Sequence, residues 1–79
     1  MHKRIYQAVL DQLARSIKKR RAELGISQED LAFQSGIDRT FVSKIERSIA
    51  NPSLKTILDI AEALDISLSD LFKTVERES

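Results

Sequence analysis

The chain has no cysteine, one histidine, one proline and two glycines among its 79 residues. Without cysteine there is no disulfide, no thiol nucleophile and no cysteine-bound zinc. The single histidine stands at position 2, so a Ser-His-Asp arrangement has no base within the body of the chain. A Gly-rich phosphate loop and paired-metal spacing are missing too, and the sequence predicts no catalytic residue, no metal, no cofactor and no small-molecule ligand. No apolar run exceeds three residues, the longest being Ala8-Val9-Leu10 and Leu31-Ala32-Phe33. The sequence therefore predicts neither a membrane span nor a signal-peptide core, and a cytoplasmic protein. Asn-Gly and Asp-Gly hairpin signals are also missing, and apolar–polar alternation is not sustained along the chain, which argues against strands.

What is present is a soluble, globular composition: 42% hydrophobic and 32% charged residues. The length predicts a single domain over 1–79. A domain this small buries only about 60% of its unfolded surface, so packed helices and self-association become the expected sources of stability. The net charge of +1 hides an asymmetry. Residues 1–26 hold seven Lys/Arg against two Asp/Glu, and residues 51–79 hold three against six. A basic front and an acidic rear suit a molecule with one face for a polyanion. The Lys18-Lys19-Arg20-Arg21 run, however, is equally what the C-terminal dipole of a helix favours.

Helix start signals recur. A long first helix, about 3–24, is predicted from a stripe of Ile5, Val9, Leu13, Ile17 and Leu24 with Tyr6 and Leu10 beside it, ended by Gly25. Ser27 with Asp30 three residues on forms a capping box for a second helix ending at Gly36. Asp38 opens a third with Phe41, Val42 and Ile45 inward. Ser53, after Pro52, opens a fourth with Leu54, Ile57, Leu58, Ala61 and Leu64 inward. Ser67 opens a fifth with Leu68, Leu71, Phe72 and Val75. The expected fold is all-α, five helices around one core.

The second and third helices carry the information. Only Gly36 and Ile37 lie between Ser35 and the next cap, a connection short enough to force a steep crossing and to present the third helix outward. Its outer side is then Arg39, Thr40, Ser43, Lys44 and Arg47. Arginine pairs bidentately with guanine, threonine offers a hydroxyl or a methyl to a base edge, and lysine and arginine neutralise phosphates. Gln28 sits at the first turn of the second helix, where free backbone N–H groups would meet a phosphate. Glu46, beside Ile45 and Val42, is expected to be partly buried and to need a cationic partner.

Four segments together resemble the Cro/phage-repressor helix-turn-helix family: Ile26 to Ala32, Gly36 to Arg47, Asn51 to Leu54, and Ile60 to Ile66. The resemblance covers about Leu13 to Phe72, with the motif at about 28–47. It implies a compact five-helix, lambda-repressor-like DNA-binding domain that regulates transcription as a homodimer on double-stranded operator DNA, associated with the nucleoid. It implies DNA contacts from Gln28, Arg39, Thr40, Ser43, Lys44, Arg47 and Asn51, and an ion pair between Arg21 and Glu46. Within the family the chain looks most like restriction–modification controller proteins, through the aromatic Phe33, the Asp38-Arg39-Thr40-Phe41 run and the extended first helix. Ala50 departs from them, standing where some controllers carry an arginine that reads a further base. A dimer contact is expected from Ile66, Leu68, Leu71, Phe72 and Val75, with Ile5, Tyr6 and Val9 as the second choice. The competing reading is an antitoxin-type protein-binding module of a toxin pair that also binds its own operator; a protein-binding third helix would tend to be apolar or acidic on its outer side.

Overall fold

A computed structural model describes residues 3–73. It contains α1 (Lys3–Leu24), α2 (Gln28–Ser35), α3 (Arg39–Glu46), α4 (Leu54–Leu64) and α5 (Leu68–Leu71), with no strand among the described residues. The caps are those the sequence signals. Ser27 accepts from the Asp30 N–H while the Asp30 carboxylate accepts from the Ser27 N–H, both at 3.0 Å. Ser53 and Ser67 accept from the N–H groups of Thr56 and Asp70. Asp38 is the exception: it has N-cap backbone geometry without a side-chain bond. Gly36 closes α2 at φ 71°, a left-handed value that glycine reaches without steric cost, and so turns the chain directly into α3.

One core joins all five helices. Leu13 and Ile17 of α1 meet Leu31 and Ala32 of α2, Val42 and Ile45 of α3, Ile60, Ala61 and Leu64 of α4, and Leu71 of α5. α2 packs on α3 and α4, and α1 packs on α3, α4 and α5. Polar bonds fix α1 against the chain's later half. Arg20 donates from Nε to the Leu64 carbonyl (2.8 Å) and from Nη2 to that of Asp65 (3.4 Å), covering the carbonyls that the end of α4 leaves open. Ser16 Oγ donates to the Leu71 carbonyl at 2.8 Å. Asp11 accepts from Gln7 at 2.9 Å, and with the Ser48 hydroxyl of the turn after α3 nearby its carboxyl is held below the ordinary value.

Several expectations are corrected. Leu54 and Leu58, placed inward by helical spacing, are exposed at 64% and 47%. Ile57, Ile60, Ala61 and Leu64 suffice to fill the contact of α4, and Leu54 and Leu58 lie to one side of that stripe. Leu24 and Ile5 are likewise exposed, at the two ends of a helix longer than the core it serves. α5 is a single turn, and Val75 lies outside the described residues. Leu71 is fully enclosed by its own chain, which makes it a core residue and removes it as a surface for a partner.

Leu13→Ala should destabilise the fold by about 2–5 kcal/mol through lost burial and a residual cavity. Leu24→Ala should change it by no more than about 0.5 kcal/mol, as for ordinary surface positions. Urea unfolding of the two variants against the parent checks the difference.

Candidate nucleic-acid interface

α3 is held from beneath by Val42, Ile45 and Glu46, which are buried. At about 100° per residue, Arg39, Ser43, Thr40 and Lys44 fall within an arc of about 140° opposite Val42 and Ile45, with Glu46 at the edge next to Arg39. Arg39, Thr40 and Lys44 are exposed and Ser43 is half-buried. Arg47 follows as the C-cap, exposed, with Nε donating to the Ser43 carbonyl at 3.4 Å. Asn51 is exposed in the connection to α4. Among the described residues no ion pair engages Arg39, Lys44 or Arg47, so their charge is directed at solvent. The arc offers guanidinium, ammonium and hydroxyl groups, and Asn51 adds an amide, a mixture suited to base edges and phosphates together.

Beneath the arc lies the Glu46 carboxylate, 5% exposed. Arg21 grips it bidentately, Nε to Oε2 at 2.7 Å and Nη2 to Oε1 at 2.9 Å, and Nη1 of the same guanidinium donates to the Ile26 carbonyl at 3.0 Å. The expected pair is therefore present, with Glu46 more deeply buried than its position beside Val42 suggested. Burial alone would raise the Glu46 carboxyl. Hydrogen bonds from Arg21 and Gln28, with the Arg21 charge, outweigh it and hold the group below its ordinary value.

Gln28 is where the structure adds to the sequence reading. It is the first residue of α2, as expected, yet its side chain turns inward and Nε2 donates to Glu46 Oε1 at 3.0 Å. No sequence signal links positions 28 and 46, because they lie on different helices. Phe33 stands 88% exposed on the outer side of α2, and Ala50 is half-buried against the core. No group of three or more metal-ligating side chains occurs among the described residues, and no described helix is long and apolar enough to cross a membrane.

This arrangement is that of a helix-turn-helix protein, and the sequence agrees: the family described as helix-turn-helix matches residues 17–71. The chain belongs to that family. It is 41% identical over 61 residues to the control protein C.MunI of Mycoplasma sp, a match covering 77% of this chain and 82% of that one. It is 34% identical over 61 residues to the transcriptional regulator SlrR of Bacillus subtilis, of which the match spans 40%. Among solved structures it is similar to the restriction-modification controller protein C.Esp1396I, seen as a tetramer with its natural 35 base-pair operator. There the identity is 38%, with 89% of this chain and 92% of that one covered and a TM-score of 0.76. For the controller protein C.AhdI of Aeromonas hydrophila the identity is 44%, over 80% of this chain and 96% of that one, with a TM-score of 0.77.

Glu46→Ala should lower stability by up to about 3–5 kcal/mol, the cost of stranding a buried charge. The folded carboxyl sits below its unfolded value of about 4.3, so the pair's contribution is complete above that pH and is lost as pH falls through the lowered folded value. The stability gap between parent and Glu46→Gln, measured by urea unfolding at successive pH values, should be widest near neutrality and close on acidification.

Proposed function

We propose that this chain is a transcriptional regulator of the restriction–modification controller kind, binding operator DNA as a homodimer in the cytoplasm, at the nucleoid. The observation that carries the reading is the outer side of α3, where Arg39, Thr40 and Lys44 project from a helix whose other side is buried. In this reading Arg39, Thr40 and Lys44 meet base edges in the major groove. Ser43, Arg47 and Asn51 meet phosphates, and Gln28 lies at the backbone beside them. The relatives named control proteins, and the similar controller seen on its operator, support it. A purely protein-binding antitoxin would present an apolar or acidic surface there, and this surface is basic and polar.

One eight-residue recognition helix reads too few base pairs to single out a site, so two copies are required, with half-site centres about 10 base pairs apart. Of the residues in and around α5 expected to join them, Leu68 is 37% exposed and Ile66 and Phe72 are half-buried. Leu54 and Leu58, one turn apart on α4, with Ile49 shortly before them, offer more apolar surface. Their neighbours Lys55 and Asp59 are paired to each other at 2.8 Å, so two identical copies can meet there without like-charge repulsion. We infer that the dimer contact lies on this α4 side, supported by the exposed apolar surface of Leu54 and Leu58. Sedimentation of folded Leu58→Asp and Leu68→Asp should give a monomer for the first and a dimer for the second; the reverse result returns the contact to α5.

Affinity for a selected duplex should fall at least tenfold between about 50 and 200 mM salt, because several phosphates are neutralised. Arg39→Ala should cost about 1–3 kcal/mol on the preferred site and relax preference at one base position per half-site. Arg47→Ala should weaken all sequences alike. Selection from random duplexes measures both, and equal loss without a change of preference in either variant would remove Arg39 from the groove.

A further inference from the structure

Two hydrogen bonds give the direction in which the chain leaves the fold. Arg20 of α1 donates to the Leu64 carbonyl, and Ser16, one turn earlier on the same helix, donates to the Leu71 carbonyl, both at 2.8 Å. From the end of α4 through α5 the backbone therefore advances along α1 toward the N-terminus of that helix. Lys73 lines the same groove as Gln12, a further turn on. Ahead of it on α1 lie Val9 and Ile5, which with Gln12 and Ser16 form one row at helical spacing, with Tyr6 beside them. Ile5 and Tyr6 are 41% and 38% exposed and Val9 is half-buried. All three stand before Leu10, the first buried residue of α1, so the shared core does not reach beneath them.

We propose that the segment 74–79 docks along this row of its own molecule, with Val75 seated on Val9, Ile5 and Tyr6. Val75 is the only apolar residue after Phe72. Four extended residues past Leu71 span up to about 13 Å, and the step from Ser16 to Val9 is about 10 Å of helix, so the valine reaches. Glu76 and Glu78 then follow toward the start of α1, whose first turn holds no acidic residue and includes Lys3 and Arg4. The helix dipole favours negative charge at that end. A second copy is the poorer occupant, because three partly exposed side chains fall far short of the roughly 800 Å² that each partner of a stable dimer buries. A tethered valine needs no such area: the short connection from Leu71 sets its effective concentration. The projecting start of α1 is thus covered from within the molecule, which removes it as a dimer contact.

Tyr6 is the chain's only tyrosine and there is no tryptophan, so intrinsic fluorescence reports on this row alone. Acrylamide should quench Tyr6 more strongly in full-length Val75→Asp of unchanged helicity than in the parent. The parent's protection should persist over roughly a hundredfold dilution, because a tethered contact does not depend on protein concentration. Equal quenching in the two proteins overturns the proposal. Protection that is lost on dilution also overturns it and assigns the row to a second copy. If Val75→Asp loses helicity, the absence of native cysteine supplies the deciding measurement. Val75→Cys paired with Val9→Cys, and separately with Ile5→Cys, should give under oxidising conditions a single-chain species without free thiols in at least one pair. Disulfides between two chains, or thiols that stay free in both pairs, overturn the proposal.

Discussion

The structure depends on the bidentate grip of Arg21 on Glu46. Arg21 leaves α1 near its end and Glu46 closes α3, so the pair sets the distance between the longest helix and the recognition helix. The same guanidinium bonds the Ile26 carbonyl, one residue before the cap of α2. Three helices are thus referred to one planar group whose donor pattern matches a carboxylate in only a few geometries. A buried ion pair is weak evidence of net stability, since desolvation offsets most of its attraction. Its effect here is geometric: removing either partner leaves a stranded charge, so no nearby arrangement of the three helices is comparably stable.

The hydrophobic core alone would not impose that uniqueness. Its members are Leu, Ile, Val and Ala, which tolerate sliding and rotation at small cost when total volume is kept. Directional bonds remove the freedom. Arg20 on the Leu64 carbonyl, Ser16 on the Leu71 carbonyl and Arg21 on Glu46 all start from α1 and end on later segments. The extended first helix is the reference against which everything else is registered.

What the sequence disclosed follows from the range of each interaction. Caps and periodicity are local, so the Ser27–Asp30 box, the Gly36 turn and the buried stripe of Val42 and Ile45 were legible, as was the exposed arc of α3. The Arg21–Glu46 pair was legible only because the family resemblance joined two distant positions and because a polar residue beside a core stripe demands a partner. Arg20 was not legible: a basic run at a helix end satisfies its own helix dipole just as well, and nothing local says that one member reaches over to α4. Leu54 and Leu58 show the converse limit. Helical spacing identifies an apolar side of α4 but not how wide a stripe the neighbouring helices cover, and α2 and α1 cover the Ile57, Ile60, Leu64 side alone. Leu71 was misplaced for the same reason, since a one-turn helix must spend its single inward leucine on its own core.

These limits bear on how the interface is built. α3 has eight residues, a little over two turns, and an isolated helix of that length is unstable in water. Its outer residues, Arg39, Thr40 and Lys44, make no described bond that would hold them, so their precision must come from the backbone that carries them. That backbone is tied at one end by the Gly36 turn, along its length by Val42 and Ile45, and at its last residue by Glu46. The turn beyond it is closed by backbone bonds from Ser48 N–H to the Ile45 carbonyl and from Ile49 N–H to the Lys44 carbonyl. Free, charged tips on a fully constrained rod are what selective groove reading requires, because flexible tips adapt to phosphates and bases while the rod keeps them in register. In the proposed reading, the buried carboxylate at the end of α3 therefore matters to the presentation of that surface as much as the arginine at its start.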